Sequence, residues 1–224
     1  MFLKCLKVLS LTILLAFGGY NSVFAVFDPI EITSKDNNVY TIYHPEKREE
    51  LPKEIENSIK KEFVTVFSEV YEKYSLEDLG KKGIFDSKEA WLNAAINGEI
   101  DEFKEGKIDL FYLLSKEGNF IGFGTALYNK ETHDLYGSQG FLIKNHQNKG
   151  LLKTALLAIL SKNLYEGIKT LSLDVRHVNE KAIKSYETLG FEKQEETCGG
   201  YDKKYYSGYK ASIEKLMNIF KKKN

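Results

Sequence analysis

Two kinds of apolar pattern divide the chain, helical spacing in its first half and strand-like runs from about residue 107 onward. Ile55, Ile59, Phe63, Val66, Phe67, Val70 and Tyr74 recur three and four residues apart, which predicts a long helix opened by Pro52. Gly80 and Gly83 interrupt it. Ser87 then reads as the N-cap of a second helix through Trp91, Leu92, Ala95 and Ile96, which Gly98 is expected to end. Upstream, Val39, Tyr40, Ile42 and Tyr43 predict one strand that finishes before His44 and Pro45.

From Lys107 the period shortens. Ile108 to Leu114 and Phe120 to Tyr128, joined by Lys116, Glu117, Gly118 and Asn119, predict a β-hairpin. Gly122 and Gly124 inside its second arm imply a bulge or a close backbone approach that a ligand could use, with simple packing as the alternative. After a turn at Asn129 to Asp134 come a strand at Leu135 to Ile143, a turn at Gln147 to Leu152, and a helix through the apolar run Leu151 to Leu160. A strand at Leu171 to Val175, a helix at Ala182 to Leu189, strands at Phe191 to Glu195 and Lys204 to Tyr209, and a helix along Ile213, Leu216, Ile219 and Phe220 complete the pattern. There is no internal repeat.

At 224 residues the chain accommodates one ordinary domain with extensions. Basic and acidic side chains balance at 32 each, which removes any argument for nucleic acid from overall charge. The beginning is unlike the rest. Lys4 and Lys7 precede the apolar run Val8 to Phe17, and Val23 and Ala25 supply small residues ahead of a cleavage point. The run is shorter than the ~20 residues of a spanning helix. Residues 1–25 therefore read as a secretory signal peptide, and residues 26–224 as a single domain exported to a periplasmic or extracellular space. The alternative is an uncleaved membrane anchor. Of the two cysteines, Cys5 lies in the leader, so Cys198 has no intramolecular partner and no disulfide framework exists. His44, His133, His146, His177 and Cys198 show no compact zinc spacing, so no metal is expected.

The candidate chemistry lies between Leu135 and Phe191. Amides at the start of the Leu151 helix point outward without partners, and the helix dipole adds positive charge, so the turn suits a phosphate. Beyond it the sequence reads Leu-Ser-Leu-Asp-Val, then Asn179, Ala182, Ile183, Tyr186, Leu189, Gly190 and Phe191. Together these two halves resemble the GNAT superfamily of N-acetyltransferases, over a core of about residues 108–209. The resemblance implies an α/β (α+β) acyl-CoA N-acyltransferase fold, with a mixed, mostly antiparallel central sheet flanked by helices. It also implies acetyl-CoA as co-substrate. Gln147 and Gly150 match a Gln/Arg-x-x-Gly-x-Gly/Ala pattern that cradles the coenzyme pyrophosphate. Asn179, Ala182, Tyr186, Gly190 and Phe191 match a series that lines its pantetheine arm. The implied coenzyme set is Leu142, Ile143, Lys144, Gln147, Asn148, Lys149, Gly150, Leu151, Leu152, Asn179, Ala182 and Tyr186. Leu152 departs from the pattern by standing where a small residue is expected.

Acetyl transfer to an amine needs a bound thioester, an unprotonated nucleophile and a proton for the departing thiolate. Tyr186 is the candidate proton donor, since a phenol of pKa ~10 can protonate a thiolate whose acid has pKa ~8.5. The alternative is that it packs its helix onto the sheet. Asn179 either caps that helix or bonds the pantetheine amides. The strand Leu135 to Ile143 carries no carboxylate, where many relatives place a Glu, and Ser138 and Gln139 stand in that neighbourhood. Asp134 and Asp174 are therefore the candidate bases. The acceptor site is expected between the helices at Pro52 to Ser75 and Ser87 to Phe103 and the segment Tyr201 to Tyr206. The expected function is acetyl transfer to a primary amine of a small molecule or protein. The alternative is an exported, non-catalytic binding module of the same fold.

Overall fold

A computed structural model describes residues 28–45, 51–162 and 165–222, the side chains of 220–222 excepted. The leader expected at residues 1–25 lies outside the described residues. The long helix α1 spans Lys53–Val70 and buries Ile59, Phe63 and Phe67. It stops before Tyr74, because the chain turns at Tyr71, whose ring meets that of Trp91 at 5.4 Å. Ser87 caps α2 by accepting a hydrogen bond from the Ala90 amide.

Gly98 does not end α2. The helix runs Lys88–Lys104 and buries Trp91, Leu92, Ile96, Glu99, Ile100 and Phe103. An interior Gly costs ~1 kcal/mol in a helix. Continuing past it buries Ile100 and Phe103, each of which returns about 1.5–3 kcal/mol. Packing therefore outweighs the breaker.

Among the described residues eight strands form one sheet: β1 Ile30–Thr33, β2 Val39–Tyr43, β3 Asp109–Ser115, β4 Phe120–Asn129, β5 Asp134–Leu142, β6 Thr170–Arg176, β7 Glu192–Lys193 and β8 Tyr206–Ser212. Their order is β1-β2-β3-β4-β5-β6-β8-β7, and every neighbouring pair is antiparallel except β5 and β6. Strand β1 has no counterpart among the elements the pattern predicts. It pairs with β2 through a tight turn in which Asn37 takes a left-handed φ of 61°. The strand expected at Phe191 to Glu195 is confined to two residues, and the one expected at Lys204 to Tyr209 begins and ends later.

Side-chain alternation sends each strand's residues to two separate cores. Phe111, Leu113, Leu171, Leu173 and Val175 join one core with helices α3 (Leu151–Ser161), α4 (Glu180–Leu189) and α5 (Ile213–Lys222). Leu110, Tyr112, Phe123 and Phe141 join the other, under α1 and α2.

Candidate active site

The site is built on an interruption of the sheet. Gly124 of β4 faces Gly140 of β5, whereas Ala126 faces Gly137, so Ser138 and Gln139 together oppose Thr125 alone. This is a β-bulge, which bends the strand that carries the extra residue. Parallel pairing of β5 with β6 runs from Asp134↔Thr170 only to Gly137↔Leu173. The two strands part at the bulge. Beyond it β6 continues against β8 through Arg176, and β5 continues against β4 through Leu142, leaving an opening in the middle of the sheet.

Main-chain groups line one side of that opening. The Gln139 amide donates to Thr125 Oγ1 at 3.0 Å and the Ile143 amide to the Ile121 carbonyl at 2.9 Å, so both turn toward β4. By alternation, the N–H groups of Gly140 and Leu142 face the opening. The Ile143 amide is therefore committed to β4, and of Ile143 only the carbonyl and side chain are left for a ligand. Gly122 is required by packing, because a Cβ there would collide with the Phe141 carbonyl oxygen.

A short 3₁₀ turn, Lys144–His146, leads from β5 into the turn before α3. Gln147 Nε2 donates to the Leu142 carbonyl at 2.8 Å and ties the turn back to the strand end. Asn148 and Gly150 both take left-handed φ values, 63° and 76°, and no side chain caps α3. The amides of Leu151 and Leu152 thus remain available to an anion, with the helix dipole behind them. The β1–β2 turn braces this loop. The Lys35 amide donates to the Lys149 carbonyl at 3.1 Å, and Lys149 Nζ lies 3.1 Å from Asp36. Leu151 is buried, while Leu152 is 38% exposed, so the unexpected leucine points to solvent and does not fill the turn. Lys144 Nζ pairs with Glu69 at 3.0 Å.

Across the opening, Asn179 accepts from the Ala182 amide at 3.3 Å and caps α4. Ala182 and Tyr186 pack against the core of that face, and the Tyr186 ring meets Phe191 edge-on at 5.6 Å. Burial pushes the Tyr186 phenol pKa upward. Gly190 and Phe191 serve packing here. Gly190 closes α4 at φ 97°, where a Cβ would collide with Ile219 Cδ1, and Phe191 is buried.

On the α1–α2 face, Asp134, Tyr136 and Ser138 of β5 share a side with Ser172, Asp174 and Arg176 of β6, giving a polar strip. Asp134 accepts from the Thr170 and Ser172 hydroxyls, and Lys210 Nζ approaches it at 3.4 Å. It stands where β5 begins, at the end of the sheet away from the opening. Asp174 accepts from the amides of Cys198 (2.7 Å) and Gly199 (2.5 Å) and from the Tyr136 hydroxyl (3.1 Å), anchoring the segment between β7 and β8. Neither carboxylate is brought to the bulge. Arg176 is buried under Trp91 and Tyr206, with its Cζ 4.7 Å and 4.4 Å from their ring centroids, and Nη1 donates to the Leu79 carbonyl. Tyr201 stacks on Tyr206 at 4.7 Å.

The carboxylate that does reach the bulge is Glu99 of α2, which sequence reasoning missed. Thr125 Oγ1 donates to one of its oxygens and Ser138 Oγ to the other, each at 2.7 Å. Burial raises its pKa to about 7, against the lowering effect of the two hydroxyls. The signal was present in its spacing. Glu99 falls three residues after Ile96 and seven after Leu92, on the face that helix buries.

The family model of the GNAT acetyltransferases matches residues 57–191, more than half of the chain. The chain belongs to the GNAT acetyltransferase family. No curated protein matches it. Among solved structures, the PaiA N-acetyltransferase of Thermoplasma acidophilum, determined with coenzyme A, is 16% identical at a TM-score of 0.56, covering 78% of this chain and 99% of its own. An uncharacterized Bacillus halodurans protein is 14% identical at 0.55, covering 88% and 96%. The spermidine N-acetyltransferase of Vibrio cholerae, determined with CoA and spermine, is 15% identical at 0.53, covering 80% and 98%. These likenesses are of fold, and they agree with the mixed, mostly antiparallel sheet flanked by helices. Among the described residues of this family member, no group of His, Cys, Asp and Glu could hold a metal, and no helix is long and apolar enough to cross a membrane.

Proposed function

We propose that the chain transfers acetyl from acetyl-CoA to a primary amine by direct attack. The carrying observation is the parting of β5 and β6 at the bulge, with an anion-binding helix start at the end of the same strand. Pyrophosphate at the amides of Lys149 to Leu152 would lead a pantetheine arm along β5 toward the bulge. The inward N–H groups of Gly140 and Leu142 run beside that path. Asn179 and Ala182 border it from α4.

Attack by the amine on the thioester carbonyl carbon gives a tetrahedral intermediate, whose oxyanion is stabilised by strand amides near Leu142. As the C–S bond breaks, the thiolate takes the Tyr186 phenol proton. The nitrogen's surplus proton then restores the phenol. Solved relatives with CoA in this fold support the coenzyme, and the one determined with spermine supports an amine acceptor. The acceptor would enter on the α1–α2 face, beside Tyr201 and Tyr206.

Calorimetric titration of acetyl-CoA into the purified chain tests this reading. Micromolar binding supports it. A folded chain that fails to bind at millimolar ligand sinks it, and leaves an exported, non-catalytic module of the same fold. We also propose export through cleavage after Ala25. An N-terminus at Val26 on the extracytoplasmic protein supports export, and an intact Met1 there supports an anchor.

A further inference from the structure

Glu99 is left over when the coenzyme path and Tyr186 have been assigned, yet its two oxygens are held by Thr125 and Ser138 at the bulge itself. We infer that Glu99 is the catalytic residue that takes the proton from the acceptor ammonium, delivered to the sheet by α2. The inference rests on the acetyltransferase reading above.

Placement is the first argument. Ser138, which holds one Glu99 oxygen, immediately follows Gly137, the last β5 residue paired with β6. The inward amides of Gly140 and Leu142 lie two and four residues further along the same strand. A thioester carbonyl seated on those amides would have the Glu99 carboxylate beside it, on the face where the acceptor enters.

The second argument is cost. Glu99 is 9% exposed, and no basic side chain of the described residues pairs with it. A buried carboxylate without a cation is unfavourable, and an apolar residue at this core position would stabilise the fold better. Two hydroxyls instead hold its oxygens in a fixed orientation. The candidate bases Asp134 and Asp174 are committed to other partners. The first is engaged by two hydroxyls and a lysine, the second by two amides and a phenol that fix a loop.

The groups around Glu99 also set its ionisation. Glu102 on its own helix raises its pKa. Tyr136 of β5 and Tyr201 of the β7–β8 segment face it with phenols that are themselves pushed up by burial. Asp174 stands behind Tyr136. The result, about 7, suits a base that must hold and release a proton near neutrality. The ammonium gives one proton to Glu99, leaving a neutral amine whose lone pair forms the C–N bond. Glu99 returns that proton to water after the product leaves, and Tyr186 supplies the thiolate's proton as above.

The test uses the full chain with Glu99→Gln and Ser138→Ala substitutions. Acetyl-CoA binding and thermal unfolding are measured first. Thiol release is then followed with spermidine, lysinamide and benzylamine from about pH 5.5 to 9.5. Glu99→Gln is expected to keep acetyl-CoA affinity and to lower kcat/KM by about 10²-fold or more, losing the rise in rate near pH 7. The amine's own limb near pH ~10 should remain. Ser138→Ala removes a donor that favours the charged form, so it should move the lower limb to higher pH while transfer persists. A folded Glu99→Gln chain that keeps wild-type kcat/KM and the same lower limb overturns the inference. So does a wild-type chain that binds acetyl-CoA but acetylates none of the three unhindered amines. Absence of acetyl-CoA binding by the wild type would instead sink the acetyltransferase reading itself.

Discussion

Replacing Glu99 by Gln should stabilise the protein increasingly as pH rises. Burial raises the folded-state pKa of this carboxyl from 4.5 to about 7. A carboxyl with a raised folded pKa favours folding fully below its unfolded pKa, and that contribution is lost as pH climbs through the folded value. The gap between the two values corresponds to about 3 kcal/mol, at roughly 1.36 kcal/mol for each pH unit. Gln has a similar shape, accepts from Ser138 or Thr125 through its carbonyl, and does not titrate. Relative to wild type, the Gln variant should therefore gain about 3 kcal/mol between roughly pH 4 and pH 8. Urea unfolding of both chains across that range measures the difference directly, because titrations common to both cancel. Glu102, raised by its own burial, is common to both except for its repulsion of Glu99. A difference that stays constant within about 0.5 kcal/mol across the range would refute the burial argument, since even a tenfold change in proton affinity on folding would give roughly 1.36 kcal/mol.

Three further outcomes follow from the geometry. Tyr186→Phe should leave acetyl-CoA affinity unchanged by calorimetry and lower kcat by about 10²-fold or more, as loss of a general acid does. Gly150→Ala should weaken acetyl-CoA binding and cost about 1 kcal/mol or more in urea unfolding, because φ is +76° and the new Cβ would press on Lys35 Cε at 3.0 Å. Asp174→Ala removes three hydrogen bonds, so the Cys198 and Gly199 amides should exchange with solvent faster, with a stability loss of about 1–3 kcal/mol.

Periodicity exposes most of the fold and only half of the site. Helix α1, the β3–β4 hairpin and the β5–α3–β6–α4 succession are legible because each buries one regular face, and that regularity is written as spacing. The β1 strand is not, since Ile30 and Ile32 make too short an alternation, and its pairing depends on a left-handed Asn37 that nothing nearby announces. Gly98 misleads for the opposite reason. It signals a helix end locally, while the decision lies with Ile100 and Phe103, whose burial depends on a sheet far away in sequence.

That one misplaced boundary also hides Glu99. A helix ending at Gly98 would leave the next residue as a solvated loop acid, and the candidate bases are then confined to β5 and β6. Continuing the helix turns the same residue inward at a core position, where it meets Ser138 and Thr125. Those two hydroxyls are available because the bulge sets Ser138 and Gln139 against Thr125, and the same bulge ends the pairing of β5 with β6. One irregularity of backbone thus opens the sheet, leaves the Gly140 and Leu142 amides facing the opening and holds a carboxylate beside it. Strand β5 carries no carboxylate at this point, and the one that meets it comes from α2, on the α1–α2 face.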